Sequence, residues 1–448
     1  MDGSLADKVM RRTAQVAVIG LGYVGLPLAV ASAKAGFRTV GVEVNRSRAE
    51  AVNAARSYIE DVSDETLKPL VADGMLSATT DYEVLHECDV IFICVPTPYT
   101  TQRTPDLKYI IQAAEGIAPR LRPEHLVVLQ STTYPGTTAE VVRPILEQGS
   151  GLSAERDFYL AFSPERIDPG NKRWSAYNTP KVVGGLTPEA TAIAAAFLRQ
   201  MGAPVHEVSS PDAAELTKLL ENTFRAVNIA LVNEIALLAE RMGIDFWEVI
   251  EAAKTKPFGF MPFYPGAGVG GHCIPIDPYY LLWKAREYDF YTHFIELAAE
   301  TNEAMPYHVV ELVRRALGRA GKALAGAHVL VLGVAFKADI GDARNSPALR
   351  IIELLLRDGA EVRYHDPYVP DYTVGGDVFI RERQTLHSVP LDEATLDWAD
   401  VAVIVTGHRA VDYARLVEQA KLIVDSCNAT GGQGRRENVV RLGAPFPR

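Results

Sequence analysis

Residues 268–278 read GVGGHCIPIDP, so Cys273 stands behind a run of glycines and four residues ahead of Asp277, in a chain with only four cysteines. A lone cysteine is most often a small buried hydrophobe. The stretch around it, 255–285, is however dense in Gly, Pro and aromatic residues and too apolar for a flexible linker. A loop of that kind wraps a ligand, its glycines bringing backbone amides close and its aromatics covering the bound group. A second polar constellation lies in SPDAAELTKLLENTFRAVNIALVNEIALLAERMG (210–243), where Lys218 and Asn222 are four apart on one helical face and Arg225 follows a turn later. Polar groups on a buried face need partners, while the apolar stripe beside them fits a dimer seam or a spine between domains. Glu165 and Arg166 sit in a loop after a strand, and by themselves amount to a surface ion pair.

The segment QVAVIGLGYVGLPLAVASAKAGFRTVGVEVN presents a third kind of chemistry: a buried strand, a glycine turn, a helix and a second strand ending at Glu43. Gly20, Gly22 and Gly25 form G-x-G-x-x-G in the context the motif requires. The first permits the tight turn, the second lets the backbone approach a pyrophosphate, and the third lets helix and strand pack closely. The helix N-terminus donates amides to the phosphates. Glu43 stands where a carboxylate accepts from a ribose 2′-hydroxyl and repels a 2′-phosphate, which favours NAD over NADP.

Positioning these groups takes an α/β frame. Strands are expected at 88–98 and 125–137, each running into Thr-, Ser- and Pro-rich loops that place Thr97, Ser131 and Thr132 at strand carboxyl ends, where open parallel sheets bind ligands. For Ser131, capping a following helix is an equally good reading. Two more strands fall at 158–170 and 181–185, followed by the helix over 210–243 with Ser210 or Asp212 as its cap. A second long amphipathic helix, roughly 294–318, leads to a second strand–loop–helix–strand unit with further strands at 400–408 and 421–428. That unit holds only Gly333 in place of a glycine fingerprint, so it is given no dinucleotide. The expected fold class is α/β: two doubly wound, Rossmann-like domains joined by a long central helix, divided as 1–209, 210–320 and 321–448.

Composition narrows the classes. With 448 residues, 48% of them hydrophobic, the chain buries several cores. Cys88, Cys94, Cys273 and Cys427 are scattered rather than spaced as metal ligands, and MDGSLADKVMRR lacks the apolar core of a signal peptide. The expectation is a cytoplasmic protein with reduced thiols and no metal, with Cys88 and Cys94 in the core. No apolar run spans a bilayer, and a net charge of −11 disfavours nucleic acid, so neither membrane nor nucleic acid is expected as a partner.

Seven blocks now stand in order: the glycine fingerprint, VPTP, STTYPGT, SPER, ELTKLLENTFRAVNIALVNE, PGAGVGGHCIPIDP and GVAFKADIGDARNSPAL. In that order they resemble the nucleotide-sugar 6-dehydrogenases, the UDP-glucose and GDP-mannose dehydrogenases, over nearly the whole chain. The resemblance implies a four-electron oxidation of a sugar C6 alcohol to a carboxylate with two NAD and one water. A first oxidation gives an aldehyde; a thiolate adds to it, and the thiohemiacetal is oxidised to a thioester that water opens. By the same resemblance Cys273 is the nucleophile, Lys218 stabilises the developing oxyanion and Asn222 holds a sugar hydroxyl. Asp277 and Thr132 position or activate water, and Glu165 assists thioester hydrolysis. Arg344 reaches the NAD phosphates, and Arg166, Tyr264, Gly270, Phe336 and Lys337 contact substrate.

Plainer readings compete. Asp277 could cap a helix beginning near Pro278, Lys218 could be a snorkelling surface lysine, and Arg344 a solvated loop charge. The loop GGHCIPIDPYYLLWKA resembles the branch acting on UDP-N-acetylhexosamines, with His272 and Ile276 where UDP-glucose members carry Ser and Lys. UDP-N-acetylglucosamine is the expected substrate, with the mannosamine and galactosamine epimers and UDP-glucose as alternatives. Two departures stand out: Cys427 in DSCN replaces a family arginine, and Asp168 is one position out of phase with a second family glutamate. The resemblance and the apolar helix imply a homodimer or larger homo-oligomer. A scaffold that kept the fold without the chemistry, and a two-electron hydroxy-acid dehydrogenase, are the readings from other classes.

Overall fold

The computed structural model describes residues 3–447 apart from 60, 101–102, 168–172, 175–177, 377–379 and 435. Asp168 lies outside the described residues. The chain divides into two compact units, one of 1–221 with 279–290 and one of 222–278 with 291–448; two of the three crossing points fall inside helices, Pro211–Met242 and Cys273–Ala285.

The first unit carries an eight-stranded sheet among the described residues. Its strands are β1 (Val16–Ile19), β2 (Thr39–Val42), β3 (Leu76–Thr79), β4 (Val90–Ile93), β5 (Leu126–Leu129), β6 (Tyr159–Phe162), β7 (Lys181–Gly185) and β8 (Val205–Glu207), in the order β3-β2-β1-β4-β5-β6-β7-β8. All neighbours pair parallel except β6 and β7. The sequences VAVI, VIFI and LVVL of β1, β4 and β5 are buried at every position, as a sheet covered on both faces demands. Strand order reverses between β1 and β4, which leaves a crevice at their carboxyl ends. Cys88 and Cys94 are buried as expected, and burial pushes the Cys88 thiol up to about 12.

The second unit holds a five-stranded all-parallel sheet of β9 (His328–Leu332), β10 (Glu361–His365), β13 (Val401–Ile404), β14 (Ile423–Asp425) and β15 (Val439–Arg441), ordered β10-β9-β13-β14-β15. An antiparallel hairpin of β11 (Asp371–Val374) and β12 (Gln384–His387) accompanies it. This hairpin has no counterpart in the expected strands, since DYTV and QTLH carry little apolar signal. The helix Pro347–Arg357 is opened by Ser346, whose side chain accepts from Ala348 N–H, and turns Ile351, Ile352, Leu354 and Leu355 into the core.

The long helix runs Pro211–Met242, and Ser210 Oγ accepts from Ala213 N–H at 3.2 Å, so Ser210 rather than Asp212 supplies the cap. The second long helix spans His293–Arg319. One expectation is overturned outright. The helix carrying Asp277 begins at Cys273, not near Pro278, so Asp277 lies inside it rather than at its cap. Pro275 falls in the first turn, where a missing N–H removes no helical bond, and burial of Ile276 and Tyr280 holds the later turns through Pro278.

Candidate active site

In the first unit, Gly20 follows β1 at φ +87°, and a Cβ there would meet Cys94 O at 3.0 Å. A Cβ on Gly25 would lie 1.8 Å from Gly20 O, so no side chain fits between turn and helix. At Gly22 a Cβ would meet nothing within 4 Å: the backbone there faces open space. The following helix, Gly25–Lys34, begins at Val24 without a side-chain cap; Leu26 N–H donates to Gly22 O at 3.1 Å and Pro27 carries no N–H. Glu43 ends β2 buried, with Oε2 accepting from Leu21 N–H at 2.9 Å and Oε1 from Asn45 N–H at 3.0 Å. Tyr58 donates to Leu21 O at 2.9 Å, so that both polar groups of Leu21 are held. A carboxylate has about four lone-pair sites, so Glu43 fixes the glycine turn with acceptor capacity left over, enough for a ribose hydroxyl. Open backbone at Gly22, a helix N-terminus and a carboxylate at the second strand's end fit a dinucleotide.

Thr97 is buried beyond β4, its carbonyl accepting from the Tyr280 hydroxyl. Ser131 donates to Val95 O at 2.7 Å, tying the end of β5 to the loop after β4 rather than capping a helix. Thr132 beside it is half-buried.

Glu165 and Arg166 do not pair with each other, which corrects the simplest sequence reading. Lys181, almost wholly buried in β7, places Nζ 2.9 and 2.8 Å from the two oxygens of Glu165, and Gln130 Nε2 donates at 2.9 Å. The N–H groups of Arg166 and Ile167 also donate to Glu165 Oε1, at 2.7 and 3.1 Å. Arg166 instead reaches Glu221 at 3.2 and 2.5 Å and Pro180 O at 2.8 Å. The antiparallel return from β6 to β7 brings Glu165 and Lys181 together, a register that no local motif announces.

Lys218 is 8% exposed, which removes the snorkelling alternative, and among the described residues it makes no hydrogen bond or ion pair. Three residues before it, Glu215 is fully buried and accepts from Gly136 N–H (2.7 Å), Thr138 N–H (2.9 Å) and Thr138 Oγ1 (2.6 Å). It thereby holds the STTYPGTT loop where that loop enters the π-helical turn Thr137–Val142. Burial raises its carboxyl to about 7 against the pull of these three bonds. The sequence reading passed over Glu215, although a carboxylate one turn from Lys218 in an apolar helix is a legible signal.

In the second unit Cys273 is the first residue of its helix and is exposed. A thiol there stands at the positive end of the helix dipole. Asp277, one turn on and therefore on the same face, is 1% exposed, and its Oδ2 accepts from Asn222 Nδ2 at 2.5 Å. The glycine loop is held from two sides. Asn233, fully buried on the long helix, accepts from Gly266 N–H at 3.0 Å and donates to Asn302 Oδ1 at 2.9 Å. A Cβ on Gly270 would meet Phe336 Cβ at 2.7 Å and one on Gly271 would meet the Phe336 ring at 3.0 Å, so these glycines admit Phe336.

Lys337 next to it is half-buried. Arg344 is half-exposed and forks onto Asp342 at 3.0, 3.0 and 2.5 Å. His272 is held below the usual imidazole range by burial and by Arg344, with Asp342 opposing. Tyr264 donates to Glu251 at 2.8 Å and stacks on Trp247. Cys427 is half-buried beside Asp425, which gathers the N–H groups of Cys427, Ala429 and Thr430 at 3.1, 3.1 and 2.8 Å; burial, then Asp425, raises its thiol well above the ordinary value. Among the described residues no cluster of His, Cys, Asp and Glu could hold a metal ion, and no helix is long and apolar enough to cross a membrane.

Comparison with known proteins bears directly on these sites. Residues 14–202 match the NAD binding domain of the UDP-glucose/GDP-mannose dehydrogenase family, 212–304 its central domain and 330–432 its UDP binding domain. The chain is 40% identical over 357 residues to the UDP-N-acetyl-D-glucosamine 6-dehydrogenase of Pseudomonas aeruginosa, covering 79% of this chain and 83% of that one. It is 37% identical over 420 residues to the UDP-N-acetyl-D-mannosamine dehydrogenase of Pyrococcus horikoshii, covering 92% and 95%. The solved structure of UDP-D-ManNAc dehydrogenase from Pyrococcus horikoshii superposes with a TM-score of 0.86 at 35% identity, covering 96% of this chain and 99% of that one. The glycine cradle that fits a dinucleotide thus lies in a matched NAD binding domain, and the chain belongs to the UDP-glucose/GDP-mannose dehydrogenase family of NAD-dependent nucleotide-sugar dehydrogenases.

Proposed function

We propose that the chain oxidises the C6 hydroxyl of a UDP-N-acetylhexosamine, UDP-N-acetylglucosamine first among them, to the uronate through a covalent adduct on Cys273. The observation that carries this reading is the setting of Cys273: exposed, first in its helix, behind a glycine loop, with Asp277 one turn on and bound by Asn222. Written in full, one alcohol, two NAD⁺ and one water give one carboxylate, two NADH and three protons. NAD supplies the hydride acceptor, and it is bound by Gly20, Gly22, Gly25 and Glu43 with Thr97, Thr132 and Arg344.

The chain's own groups do the rest. Cys273 Sγ adds to the C6 aldehyde, forming a C–S bond and a hemithioacetal alkoxide that Lys218 stabilises; the desolvated setting of that lysine supports the role. Loss of hydride from this carbon leaves a thioester. Asp277 with Thr132 orients the water, which adds to the carbonyl as the C–S bond breaks and the thiolate returns. Glu165 assists that step as a carboxylate fixed by Lys181 and Gln130. Asn222, Arg166, Tyr264, Gly270, Phe336 and Lys337 contact the sugar nucleotide. Names of similar proteins support an acetamido sugar but divide among gluco, manno and galacto types. A pocket separates epimers strongly only by hydrogen-bonding the hydroxyl concerned.

The same reading takes the chain as three parts, 1–209, 210–320 and 321–448, acting in the cytoplasm as a homodimer. Exposed Leu220, Phe224, Leu231, Ile235 and Leu238 along the long helix support the dimer.

The test is NADH yield per sugar with limiting UDP-N-acetylglucosamine, its manno and galacto epimers and UDP-glucose, for wild type and Cys273→Ala. Two NADH from UDP-N-acetylglucosamine, lost in the variant, is expected. One NADH from every sugar, or a variant that still yields two, would sink the cysteine mechanism; two NADH from another sugar would overturn only the substrate.

A further inference from the structure

The peptide that leads into Cys273 is clasped from a loop more than seventy residues away in sequence. Gly271 N–H donates to Arg344 O at 2.9 Å, and Gly271 O accepts from Asn345 Nδ2 at 2.9 Å. Both backbone polar groups of Gly271 are therefore taken by two consecutive residues. Asn345 itself sits at φ +50°, in the left-handed region that asparagine tolerates better than most side chains. Its own carbonyl would lie 3.0 Å from a Cβ on Gly270, so the two loops are in backbone contact. Gly271 is at φ +86° with the Phe336 ring against it, and Ser346 next to Asn345 caps the helix Pro347–Arg357, which anchors the clasping loop to the second unit's core.

We infer that Asn345 is a positioning residue for the Cys273 thiol: its side-chain amide fixes the Gly271 carbonyl, hence the entry angle of His272 and the direction in which the first residue of the helix presents Sγ. The inference rests on Cys273 being the nucleophile. Only the side-chain bond is specific to asparagine, because the Gly271–Arg344 bond is backbone to backbone. A thiol held a few tenths of an ångström off line still sits at a helix N-terminus, but captures the aldehyde less often before it leaves. The expected lesion is thus a leak between the two oxidations.

Three variants separate this from a general loss of structure. Asn345→Gly keeps the left-handed backbone and deletes the amide; Asn345→Asp keeps the shape and turns an oxygen toward the Gly271 carbonyl; Asn345→Ala adds backbone strain. The readouts are NADH per UDP-N-acetylglucosamine, or per whichever sugar the wild type oxidises twice, aldehyde trapped as its oxime with hydroxylamine, KM for sugar and NAD, and the rate of iodoacetamide alkylation at the Cys273 peptide. For Asn345→Gly we expect kcat to fall about 3–10-fold, the scale of one lost hydrogen bond. NADH per sugar should drop below two, oxime should appear and KM should change little. Asn345→Asp should leak more. An Asn345→Gly enzyme that gives two NADH, no oxime and wild-type alkylation overturns the inference, as does a KM rise without a leak. If wild type itself gives one NADH, or Cys273→Ala gives two, the nucleophile assignment fails instead.

Discussion

At the scale of single residues the chemistry depends on partners that pair far from one another in sequence. Glu165 is almost buried and would be an isolated charge but for Lys181, whose ammonium is itself nearly inaccessible. Removing one member of such a pair leaves an uncompensated buried charge, worth about 3–5 kcal/mol of stability. Lys181→Met should therefore lower the urea unfolding free energy by about that amount, while Lys181→Met with Glu165→Gln should recover part of it, because no bare charge is left behind. Equal losses in the single and double variants would mean that packing of the lysine stem, not its charge, holds β7. Glycines are legible where pairs are not. Gly20 and Gly25 announce themselves because their spacing encodes contacts within one turn, whereas Glu165 with Lys181, and Gly271 with Asn345, are joined only by sheet and loop topology.

At the scale of elements, the strands and long helices follow from apolar runs and periodicity, and the boundaries that went astray were those where burial overrode a local signal. Proline after Asp277 suggests a helix start, yet the helix begins at Cys273, and this places the thiol at its N-terminus. The hairpin β11–β12 stayed hidden because its strands are only four residues long, DYTV burying just Tyr372 and Val374 and QTLH burying nothing fully.

The STTYPGTT loop depends on Glu215, and its titration carries a prediction. The folded carboxyl is raised from 4.5 to about 7, chiefly by burial, so folding favours the protonated form. Its stabilising contribution is fully present below the unfolded value and is lost as pH rises through about 7. Between pH 5 and 8 the stability of wild type should fall relative to Glu215→Gln, which cannot titrate, by on the order of 2–3 kcal/mol. Urea midpoints at four pH values for both proteins measure this. Parallel curves would show that Glu215 titrates alike in folded and unfolded chains.

At the scale of the whole molecule, the long helix Pro211–Met242 carries more apolar surface than one chain covers. Leu216, Leu220, Phe224, Leu231, Ile235, Leu238 and Met242 are each 38–64% exposed, and their spacings of mostly three and four residues draw a single seam along the helix. An exposed seam of this regularity calls for a self-complementary partner, and a twofold pairing with a second copy lays like against like. Replacing Leu220 and Leu231 by Glu places charges at two points of the seam without touching Lys218, Asn222 or Asn233. Sedimentation velocity of wild type should give twice the chain mass, and the double variant a monomer that keeps its helical circular dichroism. A wild type that sediments as a single chain would leave the seam without a partner, and a variant that stays dimeric would move the interface elsewhere.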